Sequence, residues 1–182
     1  ARQKNGSPDV YQDELIICYV ALGMVEDAVN ESLADVIDEQ DLPIVIRRLS
    51  AILANEKAAV VLTQRLSPET TSRPLLRLAL WFFRQQKNWT KAMAAATALD
   101  ALNQSKGAEL LSFADGARID EQYDVAIQAY KYVLDKSNDV RLQTSAAYGA
   151  VRALEQKLRA RTITVDDARN VVAAYDDVIS RF

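Results

Sequence analysis

The 182 residues carry 22 basic and 25 acidic side chains, a net charge of −3 and 49% apolar residues. That composition suits one ordinary domain or a short helical array and excludes two catalytic domains, a disordered chain or a collagen-like one. No histidine occurs, the only cysteine is Cys18, and the five glycines lie in neither a Gly-x-Gly-x-x-Gly nor a Gly-x4-Gly-Lys-Ser/Thr run. Histidine-based triads, histidine-ligated zinc, an internal disulfide and the usual phosphate loops are thereby excluded.

In chain order, Ala-Arg-Gln-Lys-Asn-Gly-Ser-Pro at 1–8 has no apolar stretch and is expected to be a disordered or trimmed end, with 9–182 forming a single domain. Tyr11, Leu15 and Tyr19 predict a first helix closed by Gly23 in the left-handed conformation, and Val25 and Ala28 a second. Leu42, Ile46 and Leu49 predict the next helix, followed by one carrying Ala58. Leu76, Leu80 and Phe83 repeat at four and three, ahead of a helix with Trp89 and Ala92. Leu110 and Ala114 are followed by Tyr123, Ala126, Tyr130 and Val133 on a further pair. Ala147-Tyr148-Gly149 are expected to open a helix running through Arg159, and Thr164 to cap its partner. Pro8, Pro43, Pro68 and Pro74 all stand at helix starts or in loops. Strand alternation between tight turns is missing, so the chain reads as all-α, with about ten helices of roughly ten to twenty residues. No run approaches the ~18 apolar residues of a membrane span.

One spacing recurs. Asn-Trp-Thr-Lys-Ala-Met at 88–93 and Gln-Tyr-Asp-Val-Ala-Ile at 122–127 are 34 apart, as are Leu76 and Leu110, Leu80 and Ala114, Leu99 and Val133. Another step of 34 back from Ala92 reaches Ala58. A small side chain returning at this interval lets the second helix of each pair approach the first closely while larger neighbours fill the groove. This pattern resembles the tetratricopeptide repeat family, in which a large residue is followed three places on by a small one and four beyond that by an aromatic. Tyr123, Ala126 and Tyr130 match it best, with Leu110, Phe113 and Ala114 on the helix before. The departures are Ala28, 30 rather than 34 before Ala58; a longer turn in the last unit; and Thr70, Gln104 and Asn138 where the family has proline.

The resemblance implies a right-handed α-α superhelix, a solenoid of about five helix-turn-helix repeats, packed through Ala58, Trp89, Ala92, Tyr123, Ala126 and Tyr130. It further implies a non-catalytic scaffold for protein–protein interaction, holding a partner protein or extended peptide in the concave groove lined by the first helix of each pair. The groove positions fall on Arg47 and Ser50, then Arg77, Trp81, Arg84 and Gln85, then Asp115 and Arg118. Arginine binds carboxylates bidentately, and arginine and tryptophan dominate interface energetics, so an acidic segment is the expected occupant. Members that grip a chaperone's terminal carboxylate use asparagines at the ninth place of two successive first helices, a place that holds Arg47, Trp81 and Asp115 in the three units here, so that tail is not the expected ligand.

Charge is unevenly spread: residues 9–41 hold ten acids and no base, and 47–118 hold eleven bases and five acids. Such a dipole offers a second reading, self-association of copies as a homo-oligomer. A pI near 5.1 argues against nucleic acid despite the central arginines. A third reading is the non-catalytic part of a helical enzyme, but Asp166-Asp167 and Asp176-Asp177 are adjacent acids pointing about 100° apart, and Glu121 and Asp124 suit a helix N-terminus better than catalysis. The expectation is no enzyme, no cofactor and no metal. The final Ile179-Ser180-Arg181-Phe182 lacks a polar capping helix, which suggests a fragment of a longer protein; nothing specifies a compartment.

Overall fold

Short polar side chains cap the starts of several of the helices. Asn55 accepts from the Lys57 amide, Asn88 from that of Lys91, and Asp139 from those of Arg141 and Leu142, each satisfying donors that the first turn of a helix leaves open. Thr164 and Asp167 exchange hydrogen bonds as a capping box. The computed structural model describes residues 11–34, 36–160 and 164–182, so the expectation for 1–8 lies outside the described residues. Among them are ten α-helices and no strand: α1 (Gln12–Ala21), α2 (Val25–Leu33), α3 (Leu42–Ile52), α4 (Glu56–Arg65), α5 (Arg73–Gln85), α6 (Trp89–Asn103), α7 (Ala108–Ile119), α8 (Tyr123–Lys136), α9 (Val140–Arg159) and α10 (Val165–Arg181). A 3-10 turn at Glu39–Asp41 leads into α3.

Two helix ends repeat at the 34-residue interval. After α5 the Asn88 amide reaches back to the Phe83 carbonyl at 2.8 Å and Lys87 to Arg84 at 2.9 Å. After α7, 34 residues on, Gln122 reaches Ala117 at 2.8 Å and Glu121 reaches Arg118 at 3.1 Å. Lys87 and Glu121 take φ of 54° and 60°, the left-handed residue that this closing pattern demands. Gly23, at φ 72°, ends α1 the same way, as its position predicts. The α6–α7 turn adds a tertiary clamp: the Asp100 carboxylate accepts from the Ser105 hydroxyl and from the Gly107 and Glu109 amides, capping α7 from the preceding helix.

The contacts gather into two compact units, one ending at Phe82 and one from Phe83 to Phe182, the division falling inside α5. In the first, α2 packs on α1, α3 and α4, around Ile16, Ala28, Val29, Val45, Leu49, Ala58 and Leu62. In the second, α7 packs on α6, α8 and α9, while α9 also packs on α8 and α10. Its interior holds Ala92, Leu99, Leu110, Ala114, Ala126, Tyr130 and Val133.

Two expectations need correction. The buried face of α1 is Gln12 and Ile16, whereas Tyr11 precedes the helix and is exposed and Leu15 and Tyr19 are half-buried. From Leu15 to Ala21 the helix is apolar on every side, so periodicity does not select a face; a polar contact does, the Gln12 amide donating to the Glu31 carbonyl at 2.9 Å. The helix expected to open at Ala147 begins at Val140 instead. Asp139 starts it, and its first two turns are mostly polar or exposed, which leaves no apolar signal to read.

Candidate protein-interaction surface

Arg77, Trp81 and Arg84 share one face of α5 at i, i+4 and i+7, and Trp81 is half-buried. Arg47 lies on α3 and Arg118 on α7, together with Asp115. Ser50 and Gln85 are exposed, and the Ser50 hydroxyl donates to the Ile46 carbonyl within its own helix.

Every arginine of this set meets a carboxylate of the chain. In the first unit Arg47 and Asp13 are 3.0 Å apart, and Arg77 and Glu39 are 2.9 Å apart. In the second, Arg84 contacts Asp120 at 2.7 Å, and Arg118 lies 3.8 Å from Asp115 while donating to Gln156 Oε1 at 3.3 Å. The Arg84 guanidinium also lies over Gly116, where a Cβ would come within 3.0 Å of it, so that glycine lets the planar group settle onto α7. The pairs are partly solvated, and exposed pairs of this kind contribute little to stability. Their effect is on the surface: the cationic character that the sequence suggests is largely balanced from within.

Beside Arg47 stands a group that sequence reasoning missed. Arg48 is buried, its side chain 7% exposed; its Nε donates to Asp13 Oδ1 at 2.6 Å and an Nη to Gln12 Oε1 at 3.1 Å. A buried guanidinium needs such partners because its desolvation is otherwise uncompensated. The Arg48 hydrogen bond holds the Asp13 carboxyl below the usual carboxylate range, and Arg47 adds to this. Because the value is lower folded than unfolded, the stabilisation is present above the usual carboxylate range and fades as pH falls through the folded value. Asp13 is 45% exposed, so the effect is screened and amounts to less than about 1 kcal/mol. Between pH 7 and about pH 3, wild type should lose more of its urea-unfolding midpoint than Asp13→Asn; equal losses would show that the pair does not govern the acid response.

The residues expected to pack the repeats differ among themselves. Ala58, Ala92, Ala126 and Tyr130 are wholly buried, whereas Trp89 and Tyr123 are half-buried. Trp89 lines a cleft between α6 and α8 with Met93 and Val125. Tyr123 borders another cleft with Glu121, Asp124 and Lys157, where Lys157 and Asp124 form an ion pair. The Tyr130 hydroxyl donates to Asp115 Oδ1 at 2.6 Å, and burial, with that bond second, pushes the phenol up to about 12. Asp115, a groove position by the family pattern, is therefore engaged by a core tyrosine as well as by Arg118.

Among the described residues no group of three or more histidine, cysteine, aspartate or glutamate side chains is placed to hold a metal ion, and no helix is long and apolar enough to cross a membrane. No family model matches the chain, and no curated protein or solved structure is significantly similar to it.

Proposed function

We propose that the chain is a tetratricopeptide-like array of about five helical hairpins in a right-handed superhelix, and that it works as a non-catalytic scaffold holding a partner protein or an extended acidic segment. The observation that carries this reading is the return of a wholly buried alanine at Ala58, Ala92 and Ala126, 34 residues apart, on α4, α6 and α8, every second helix of the chain. The side-chain links support it. Arg47 with Asp13 spans 34 residues, Arg77 with Glu39 spans 38, Arg84 with Asp120 spans 36 and Arg118 with Gln156 spans 38, about one repeat each. Links of that length are what stacked hairpins make between neighbouring units.

A partner must then exchange with internal carboxylates rather than fill an empty cationic cradle. Arg47 is the most open of the set, its side chain 66% exposed, and its pair with Asp13 is weak enough to yield to a carboxylate presented in better geometry. Such binding should be salt-sensitive and modest in affinity. A synthetic extended peptide alternating glutamate with leucine, titrated against tryptophan fluorescence, is expected to bind and to weaken with added salt. Arg47→Gln with Arg77→Gln should reduce its affinity by about tenfold with the helical circular dichroism unchanged. No binding at low salt, or binding unmoved by the two changes, would remove this face from consideration.

A further inference from the structure

The last helix leaves part of its apolar surface bare. None of the side chains of α10 is fully buried. The side turned to α9 carries Val171, Ala174, Tyr175 and Val178, all half-buried. There the Tyr175 hydroxyl donates to Glu155 Oε2 at 2.8 Å, and its ring meets that of Tyr148 with centroids 6.1 Å apart. Next to this side runs a second stripe, Val165, Val172 and Ile179, exposed to 69, 59 and 76% and spaced seven apart, with Ala168 between the first two and Phe182 beyond the last. A seven-residue repeat of branched apolar side chains is the seam by which helices pair lengthwise.

We infer that α10 is a homodimerisation helix, pairing antiparallel with the α10 of a second copy across a two-fold axis at Val172. This surface is separate from the arginine and tryptophan face, and the inference stands without the partner-binding reading. The three branched residues are symmetric about Val172, so a two-fold axis sets Val165 against Ile179 of the copy and Val172 against itself, the self-complementarity that such an axis requires, while Ala168 and Phe182 stand outside that symmetry. Charge selects the same arrangement. Arg169 and Asp176 flank the stripe on one side, three residues before Val172 and four after. Antiparallel pairing brings each Arg169 level with the other copy's Asp176 to within one residue, making two opposite-charge pairs. Arg169 now holds Asp166 at 3.1 Å, both side chains being highly exposed, a contact it exchanges at little cost. The remaining ionic groups are occupied elsewhere: Asp167 in the Thr164 capping box and Asp177 with Arg181 at 2.9 Å.

A seam of 17 residues is about 25 Å long, which places the contact at the small end of specific interfaces. The dimer is accordingly weak, with dissociation in the range of tens to hundreds of micromolar. Sedimentation equilibrium of the whole chain should show the mass rising from 20.2 kDa towards twice that value as concentration goes from about 5 to about 500 µM. Val172→Asp, on an exposed face where folding is unaffected, should hold the chain monomeric throughout with unchanged circular dichroism. Arg169→Asp and Asp176→Arg should each weaken the dimer roughly tenfold, and the two together should restore it. A monomer at every concentration, a dimer indifferent to Val172→Asp, or a charge exchange that fails to rescue would each overturn the inference. So would a monomer whose α10 stripe is protected from hydrogen exchange only by a different protein.

Discussion

Replacing Gly149 by alanine is expected to destabilise the protein by about 2–4 kcal/mol, although it puts a better helix former into the middle of α9. Alanine gains about 1 kcal/mol over glycine in a helix interior, so propensity alone predicts a more stable chain. The opposing effect is contact. A Cβ on residue 149 would sit 2.5 Å from Cε1 and Cζ of Tyr130 and 2.9 Å from its hydroxyl oxygen, far inside the 3.5–4.0 Å at which carbon atoms rest. The ring has nowhere to go: it is wholly buried, and moving it strains or breaks the 2.6 Å hydrogen bond to Asp115. Overpacking of this kind costs about 1–3 kcal/mol, and disturbing a buried hydrogen bond adds about 1–3 more. Thermal unfolding followed by circular dichroism should show a midpoint lower by roughly 5–15 °C. Tyr130→Leu in the same chain removes the obstructing ring edge, so the double variant should be less destabilised than the sum of the two single changes. A Gly149→Ala protein as stable as wild type would mean that α8 and α9 do not approach through this residue.

That glycine also illustrates what the sequence does and does not disclose. Helical class and the 34-residue interval are legible because they are written in residue types that repeat, Ala58, Ala92 and Ala126 above all. Gly149 carries no such mark; its role comes from a ring on another helix, and within α9 it reads only as a weak helix former. Arg47, Arg77 and Arg84 are visible as charges, but Asp13, Glu39 and Asp120, the acids that meet them, lie 34 to 38 residues away, and no local pattern joins them. Gln12 and Arg48 run against the pattern outright, since polar residues are expected outside and these two are buried through each other and Asp13. The Asp100 clamp was equally hidden, because an aspartate in the last turn of α6 looks misplaced until the turn folds Gly107 and Glu109 back onto it. Of the candidate surface, then, sequence supplies the helix face and its charges, and the pairing that tempers those charges appears only with the packing.

The second large effect is expected from Ala126→Leu, and it bears on the architecture itself. Leucine and alanine are both good helix formers, so the local cost of the change is small. Burying the added carbons would even stabilise the protein by about 2 kcal/mol if there were space for them. The sign of the result therefore reports space alone. Ala126 is wholly buried on α8, a helix packed against both α7 and α9, and a side chain larger by three carbons must push helices apart or leave its preferred rotamer. A loss of about 3 kcal/mol follows, read as a fall in the urea midpoint. Ala92→Leu and Ala58→Leu should behave alike, because each alanine is equally buried, on α6 and α4. Ala101→Leu, at an exposed position on α6, is the control and should stay within about 0.5 kcal/mol of wild type. A seam of nested hairpins needs all three alanines to resist enlargement while Ala101 accepts it. If Ala126→Leu matched Ala101→Leu, the recurring small residue would have no steric purpose, and the hairpin array together with the scaffold built on it would have to be abandoned.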